Sequence, residues 1–307
     1  MKIDKFENMN LSEEILKALK NLGFEKPSEV QQEVIPYILD KKDLVVKSQT
    51  GSGKTASFGI PLCELVNVEE NKVKALILVP TRELAIQVKE DISNIGRLKK
   101  VRCAAIFGKQ PFNEQIRELK QRVHIVCGTP GRVIDHIERG NLNTNDIDFV
   151  IIDEADKMLN MGFIDQIRDV LDKLPQSKNT ALFSATIPKE IEGLYSNYMN
   201  NPAVLNIKSK VFNRDKISEK YLNVDREEKF KYLLKSLYAF TDESAIIFCN
   251  TKDSVRNLSS LLKKEKISVK ELHGDMDQKD RLATMENFKN KEFKVLVATD
   301  VAARGIH

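Results

Sequence analysis

Two stretches carry the residue types that could do chemistry: Ser48–Thr55, SQTGSGKT, and Val150–Asp156, VIIDEAD. The first is a glycine loop ending in Lys-Thr after an apolar run, Asp43–Lys47, that reads as a strand. With no side chains at Gly51 and Gly53, the backbone N–H groups of Gln49, Thr50, Gly51, Ser52 and Gly53 can curl around phosphate oxygens. Lys54 can reach the β- and γ-phosphates, and Thr55 can place its hydroxyl on Mg²⁺. A glycine-rich turn of this composition also occurs by chance. The second stretch argues against chance: Asp153 ends an apolar run, where a metal-associated carboxylate belongs, and Glu154 beside it can polarise a water. Paired carboxylates also occur in solvated turns, but Val150-Ile-Ile152 reads as a buried strand delivering them to a sheet edge. Together the two stretches predict a site for a nucleoside triphosphate and Mg²⁺, with Lys54, Asp153 and Glu154 as its reactive groups.

The elements that must position these groups follow from the rest of the chain. Its 307 residues suffice for two domains of ordinary size. A hydrophobic content of 41% and a charged content of 31% fit a globular protein in water. The net charge of +4 permits an anionic partner without demonstrating one. No apolar run approaches the roughly 20 residues that span a bilayer, and the amphipathic, charged start has no signal-peptide pattern. Cys63, Cys103, Cys127 and Cys249 lie far apart in apolar contexts. That is neither a metal pattern nor a disulfide framework, and it leads to an expectation of buried, reduced thiols, no metal cluster and a cytoplasmic setting.

Short β-branched runs alternate with amphipathic stretches. Strands are predicted at 44–46, 75–79, 101–106, 124–127, 149–152, 180–183 and 204–207, with helices such as 83–95 and 113–121 between them. This alternation predicts parallel sheets flanked by helices, with ligand loops at the carboxyl ends of the strands. A polar break at 208–216, KSKVFNRDK, reads as a linker between domains at 1–207 and 217–307. After it the alternation restarts, through 219–224, helix 229–237, strand 245–248, helix 254–264, strand 269–272, helix 280–288 and strand 294–298.

The motifs, in their order, resemble the DEAD-box ATP-dependent RNA helicases over essentially the whole chain. Asp153-Glu154-Ala155-Asp156 spells the family's name. Gly23-Phe-Glu-Lys-Pro-Ser-Glu-Val-Gln31, Pro80-Thr-Arg-Glu-Leu-Ala85, Thr129-Pro-Gly-Arg132, Ser184-Ala-Thr186, His273–Arg281 and Ala298–Gly305 all fall in the family's order. Within the family, the glycine-loop stretch and Phe107-Gly-Lys109 look most like the bacterial DbpA/YxiN type. The resemblance implies two RecA-like domains, the second incomplete, that hold ATP and RNA across a cleft and separate short duplexes. It implies ribosomal RNA or a pre-ribosomal particle as partner, and action as a monomer.

By the same resemblance, the amide of Gln31 would read an adenine edge and the ring of Phe24 would pack on the base, with Phe6 supporting the pocket. Pro80, Thr81, Arg82, Gly108, Thr129, Gly131 and Arg132 would grip the RNA backbone from the first domain, and Arg281 and Thr299 from the second. Hydroxyls, backbone amides and arginines suit contacts that position a strand without reading its bases. Asp156, Ser184, Thr186 and Arg304 would couple ATP to RNA. Lys109 stands where many members have a second glycine, and His307 where the family usually has an Asp. Because the family's arginine-rich motif does not follow His307, a raw sheet edge is expected, and so is a second reading: an ATP-dependent RNA clamp that hydrolyses poorly. A third, a duplex-DNA translocase on the same plan, is disfavoured by Gln31 and Asp156.

Overall fold

The computed structural model describes residues 4–49, 51–207, 218–239 and 244–299, without the side chain of Gln278. Thr50, Arg304, His307 and the linker expected at 208–216 lie outside the described residues. The chain divides into two compact units, Met1–Phe212 and Asn213–His307.

Unit 1 begins with helices α1 (Glu13–Asn21) and α2 (Glu29–Leu39). Then β1 (Leu44–Lys47), α3 (Lys54–Leu65), β2 (Ala75–Leu78), α4 (Arg82–Ile95), β3 (Cys103–Ile106), α5 (Phe112–Leu119), β4 (Ile125–Gly128) and α6 (Pro130–Glu138) alternate. They are followed by β5 (Phe149–Ile152), α7 (Ala155–Asn160), α8 (Ile164–Asp172), β6 (Asn179–Ser184), α9 (Lys189–Tyr198) and β7 (Ala203–Asn206). Among the described residues the strands form a seven-stranded sheet in the order β3-β4-β2-β5-β6-β1-β7, every pair parallel. The predicted strands of unit 1 are all present, with ends that differ from the expected ones by at most two residues.

Four-residue strands such as ALIL in β2 and FVII in β5 are buried at every position. Helices cover both faces of the sheet, so the strands need apolar residues in and out alike. Alternate side chains feed two cores. Leu44, Val46, Ala75, Ile77 and Ile151 lie in one, with Phe58 and Phe183 tilted against each other at 5.4 Å. Val45, Leu76, Leu78, Val150 and Ile152 lie in the other. Cys63, Cys103 and Cys127 are buried thiols of the first core, and Cys249 is half-buried in unit 2. Burial, opposed by the charge of Lys99 and aided by that of Glu64, pushes the Cys63 thiol up to about 12, so it is inert packing. No described helix is long and apolar enough to cross a membrane.

Unit 2 contains α10 (Lys229–Ala239), β8 (Ala245–Cys249), α11 (Lys252–Lys264), β9 (Val269–Leu272), α12 (Gln278–Lys289) and β10 (Val295–Thr299). Its described strands form a parallel sheet in the order β8-β10-β9. The run 219–224, expected to reopen the alternation, is no strand: it is irregular, with Tyr221 93% and Leu222 63% exposed. Strand-forming residues without a ladder partner have no hydrogen bonds to hold them as a strand, and none of β8, β9 or β10 pairs with this run. Tyr238 and Phe248 are also exposed in this unit, the latter on the edge strand β8.

Asp43 ties the entrance of β1 to its two neighbours. It is 7% exposed, and its carboxylate accepts from Thr180 N at 2.8 Å and Asn200 N at 2.6 Å. Removing that carboxylate in Asp43→Ala leaves the N–H of Thr180 unpaired in the interior. Urea unfolding of this variant should show a loss of roughly 2–3 kcal/mol; a loss under about 0.5 kcal/mol, the surface-substitution range, would show that water replaces the carboxylate.

Candidate functional site

The glycine loop joins β1 to α3. Ser48 N extends the ladder to Ser184 O on β6 at 3.0 Å, and then the backbone turns. Gly51 has φ +76 and Gly53 φ +89, left-handed values that glycine adopts without strain. Gly53 is constrained twice: a Cβ there would sit 2.8 Å from Gln31 Nε2 and 3.2 Å from Ser28 Oγ. Those two side chains, at the start of α2, brace the loop. Ser28 Oγ donates to Ser52 O at 3.1 Å, and Gln31 Nε2 donates to Gly53 O at 3.3 Å. Gln31 Oε1 in turn accepts from Ser28 N at 2.9 Å. An amide has two donor hydrogens and two acceptor lone pairs, so one of each remains for a base edge. Phe24 is half-buried nearby in sequence, its ring edge-on to Phe6 at 6.2 Å.

Lys54 opens α3 with only 7% exposure, and its ammonium donates to Ser48 O at 3.5 Å. Thr55 follows, half-buried. Gln49 is exposed on the near side of the loop, and Ser52 Oγ turns back to Gln49 O at 3.0 Å.

The carboxylates arrive from β5, two strands away. Asp153 is 3% exposed. Burial raises its pKa from 3.8 to about 6, against the pull of Lys54, while the charge of Glu154 adds to the rise. Its Oδ1 accepts from Glu154 N at 2.9 Å. Glu154 is a non-glycine residue in the left-handed region, φ 55 and ψ 46, where it starts α7. Such a conformation costs of order 1 kcal/mol or more and turns the side chain away from an ordinary helical path. Its Oε1 accepts from Lys157 Nζ at 2.6 Å.

Between β1 and β5 lies β6, and its end closes the gap. Asp156 Oδ2 accepts from both Thr186 N and Thr186 Oγ1 at 3.0 Å, and Asp156 N donates to Ser184 Oγ at 3.1 Å. Ser184 Oγ donates onward to Thr186 O at 2.6 Å. The end of β5 and the end of β6 are therefore one hydrogen-bonded unit.

The other half of the sheet carries the remaining expected residues. Pro80, Thr81 and Arg82 follow β2; Gly108 follows β3; Thr129, Gly131 and Arg132 follow β4. Since β3, β4 and β2 are adjacent and parallel, these loops share one edge with the glycine loop and the carboxylates. Thr81 Oγ1 accepts from Leu84 N at 3.2 Å and so caps α4. Lys109 has φ +63, a left-handed value that glycine adopts without strain. In unit 2, Arg281 is 9% exposed on α12 and Thr299 ends β10.

Among the described residues no group of three or more His, Cys, Asp and Glu side chains could hold a metal by itself. Mg²⁺ rarely needs one, since it keeps waters and shares one or two carboxylates with substrate phosphates. A buried carboxylate, Asp153, and a hydroxyl, Thr55, fit that habit.

Residues 28–194 match the DEAD/DEAH box helicase family, and residues 228–307 match the helicase conserved C-terminal domain. The chain belongs to the DEAD-box helicase family. It is 53% identical to the ATP-dependent RNA helicase DbpA of Bacillus subtilis, over 98% of this chain and 63% of that protein. It is 44% identical to the DEAD-box ATP-dependent RNA helicase CshA of Geobacillus kaustophilus, over 98% of this chain and 64% of that one. The chain thus spans under two thirds of the length of these relatives. Among solved structures it is similar to a DEAD box protein from Methanococcus jannaschii, with 41% identity, a TM-score of 0.66, and 100% and 83% of the two chains covered. It is also similar to S. cerevisiae Dbp5 bound to RNA and ADP BeF3, with 31% identity, a TM-score of 0.87, and 98% and 77% covered.

Two residues of this DEAD-box site escaped the sequence reading although a signal was present. Ser28 and Gln31 have the Ser-x-x-Gln spacing of a capping box, which pointed to Ser28. Lys157 stands three residues after Glu154, the spacing of neighbours on a helix face.

The Asp153 carboxyl sets a pH dependence. Its folded pKa of about 6 lies above 3.8, so between those values the folded chain holds the proton more tightly than the unfolded chain. Stability therefore falls as pH rises through that window, and the cost is fully present above it. With a chelator and no nucleotide, Asp153→Asn should be more stable than the parent at pH 7.5, by on the order of 3 kcal/mol. The advantage should fade as pH approaches 4. Equal melting at pH 7.5 would show that Lys54 compensates the buried charge in full.

Proposed function

We propose that the chain is the ATP- and RNA-handling part of an ATP-dependent RNA helicase. One observation carries this reading: the glycine loop after β1, the carboxylates after β5 and the Ser184–Thr186 turn after β6 are brought side by side, and Asp156 bonds two of them together. The proposed domains are 1–207 and 217–307 with a linker at 208–216, the partner is ribosomal RNA or a pre-ribosomal particle, and the setting is a cytoplasmic monomer. The 53% identity to a protein named ATP-dependent RNA helicase DbpA supports RNA as the class of partner.

The phosphates of ATP would lie in the glycine loop, held by its backbone N–H groups and by Lys54. Gln31 and Phe24 would take the adenine. Thr55 and Asp153 would hold Mg²⁺, which when bound neutralises charge on the phosphates. Glu154, aimed by its left-handed backbone, would orient the attacking water or take its proton. Phosphoryl transfer needs positioning and charge neutralisation above all, and these groups are of that type. The bond from Asp156 to Thr186 would pass the state of the phosphate site to β6. In unit 1 the RNA-binding set would be Pro80, Thr81, Arg82, Gly108, Thr129, Gly131 and Arg132, and in unit 2 Arg281 and Thr299, with Arg304 among the coupling residues.

A second reading, an ATP-dependent RNA clamp that hydrolyses poorly, has one observation in its favour. The carboxylate meant for the water is held by Lys157 at 2.6 Å.

ATP turnover with and without single-stranded RNA, beside Glu154→Gln, separates the two. The helicase reading expects turnover that RNA raises and that Glu154→Gln lowers by about 100-fold or more, the scale of a lost acid–base group. ATP bound without turnover would leave the clamp. RNA affinity should also fall linearly on a log–log scale with salt, because the expected contacts are to phosphates. Affinity that tracks base sequence and ignores salt would refute this mode of binding.

A further inference from the structure

Gln115, on α5, has no solvent exposure, yet it is a primary amide with every hydrogen-bonding position filled. Its Nε2 donates to Phe107 O at 2.8 Å and to Gln110 Oε1 at 2.9 Å. Its Oε1 accepts from Arg132 Nη1 at 3.2 Å and lies 3.1 Å from His136 Nε2. Two donor hydrogens and two lone pairs are all an amide has. The orientation is forced, because a flipped amide would turn its oxygen onto two other oxygens. With its N–H groups spent, Gln115 can only accept from His136, so the His136 proton sits on Nε2. Burial, aided by the Arg132 guanidinium, pushes His136 down to about 4, so the ring is neutral near pH 7.

Arg132, expected on the RNA backbone, has its guanidinium engaged within the protein. Nη1 also donates to Gln110 O at 3.1 Å, Nε lies 3.6 Å from Asp135 Oδ2, and the guanidinium carbon is 5.2 Å from the centre of the Phe112 ring. Its side chain is 14% exposed. Phe112 in turn stacks on His136, with ring centres 4.2 Å apart and planes 4° from parallel. The turn after β3 and the start of α6 after β4 are thus pinned to the same buried amide.

We infer that Gln115 and Arg132 are positioning residues for RNA: they lock the 107–110 turn to the Thr129–Arg132 start of α6, so that two loops meet a strand as one surface. The inference rests on the RNA reading above. Backbone recognition through short contacts gains from loops ordered in advance, since any ordering left to the moment of binding is subtracted from affinity. A guanidinium that already serves Gln110 and Gln115 acts on RNA through the loop it holds. No sequence motif marks Gln115; only the fold places it between the two loops.

The test uses the 307-residue chain as parent, Gln115→Met, Arg132→Lys and the double variant. Hydrogen exchange without ligand should quicken in 107–111 and in 129–132 together in each single variant, with the glycine loop at 51–57 unchanged. Loosening of only one loop overturns the lock. Affinity is then read for a fluorescein-labelled single-stranded RNA decamer with a non-hydrolysable ATP analogue. Each single variant should bind at least ten-fold more weakly, and the double no worse than the weaker single, because both changes break one unit. Parental affinity in Arg132→Lys, or losses that multiply, would make Arg132 a direct phosphate ligand and overturn the inference. Failure of the parent itself to bind the decamer would refute the RNA reading instead, while the exchange arm still decides whether the loops are joined. Should Gln115→Met not fold, Arg132→Lys keeps the charge at a side chain that reaches the surface and carries both arms alone.

Discussion

All seven described strands of unit 1 run parallel, and everything chemical in that unit depends on this. Parallel neighbours cannot be joined by tight hairpins; each needs a crossover, here a helix that packs back on the sheet. The carboxyl end of every strand therefore opens on the same edge. Loops far apart in sequence converge there without any loop having to travel. The order β3-β4-β2-β5-β6-β1-β7 then sorts them. One half, β5-β6-β1, holds the glycine loop, the paired carboxylates and the turn that joins them. The other half, β3-β4-β2, holds the threonine, glycine and arginine loops proposed to meet RNA.

The site stores its cost where the sheet can bear it. Glu154 sits in a left-handed conformation and Asp153 carries a carboxylate that burial makes reluctant to ionise. Both follow a strand whose four residues are fully buried, between two apolar cores. A nucleotide loop with two positive-φ glycines is braced by Ser28 and Gln31 from the neighbouring helix. The same economy recurs after β3, where Lys109 takes a left-handed turn next to the Gln115 network. Glu154 and Lys109 take their left-handed turns, and Asp153 holds its buried carboxyl, at the carboxyl edge of the sheet.

Much of this was legible in the chain. Periodicity located every strand of unit 1, because a buried parallel strand is a short apolar run and an amphipathic helix has a different period. It failed at 219–224, where residues of strand type have no neighbour to pair with and stay exposed. The glycine loop and the carboxylates were legible because their chemistry needs those residue types at fixed local spacing. Arg132 was legible as a charged residue in a motif, but not as a side chain turned inward onto Gln110 and Gln115.

The sequence by itself determined the strands of unit 1, the glycine loop, the pair Asp153-Glu154 and the family, since each is written in local spacing or in the order of motifs. Only the tertiary structure decided which loops became neighbours, that Asp156 bonds Thr186, that burial lifts the Asp153 pKa, and that Gln115 fills all its hydrogen bonds between two loops. The physical reason is that strand order, burial and long-range hydrogen bonds arise from how the sheet is assembled. Spacing along the chain does not encode them.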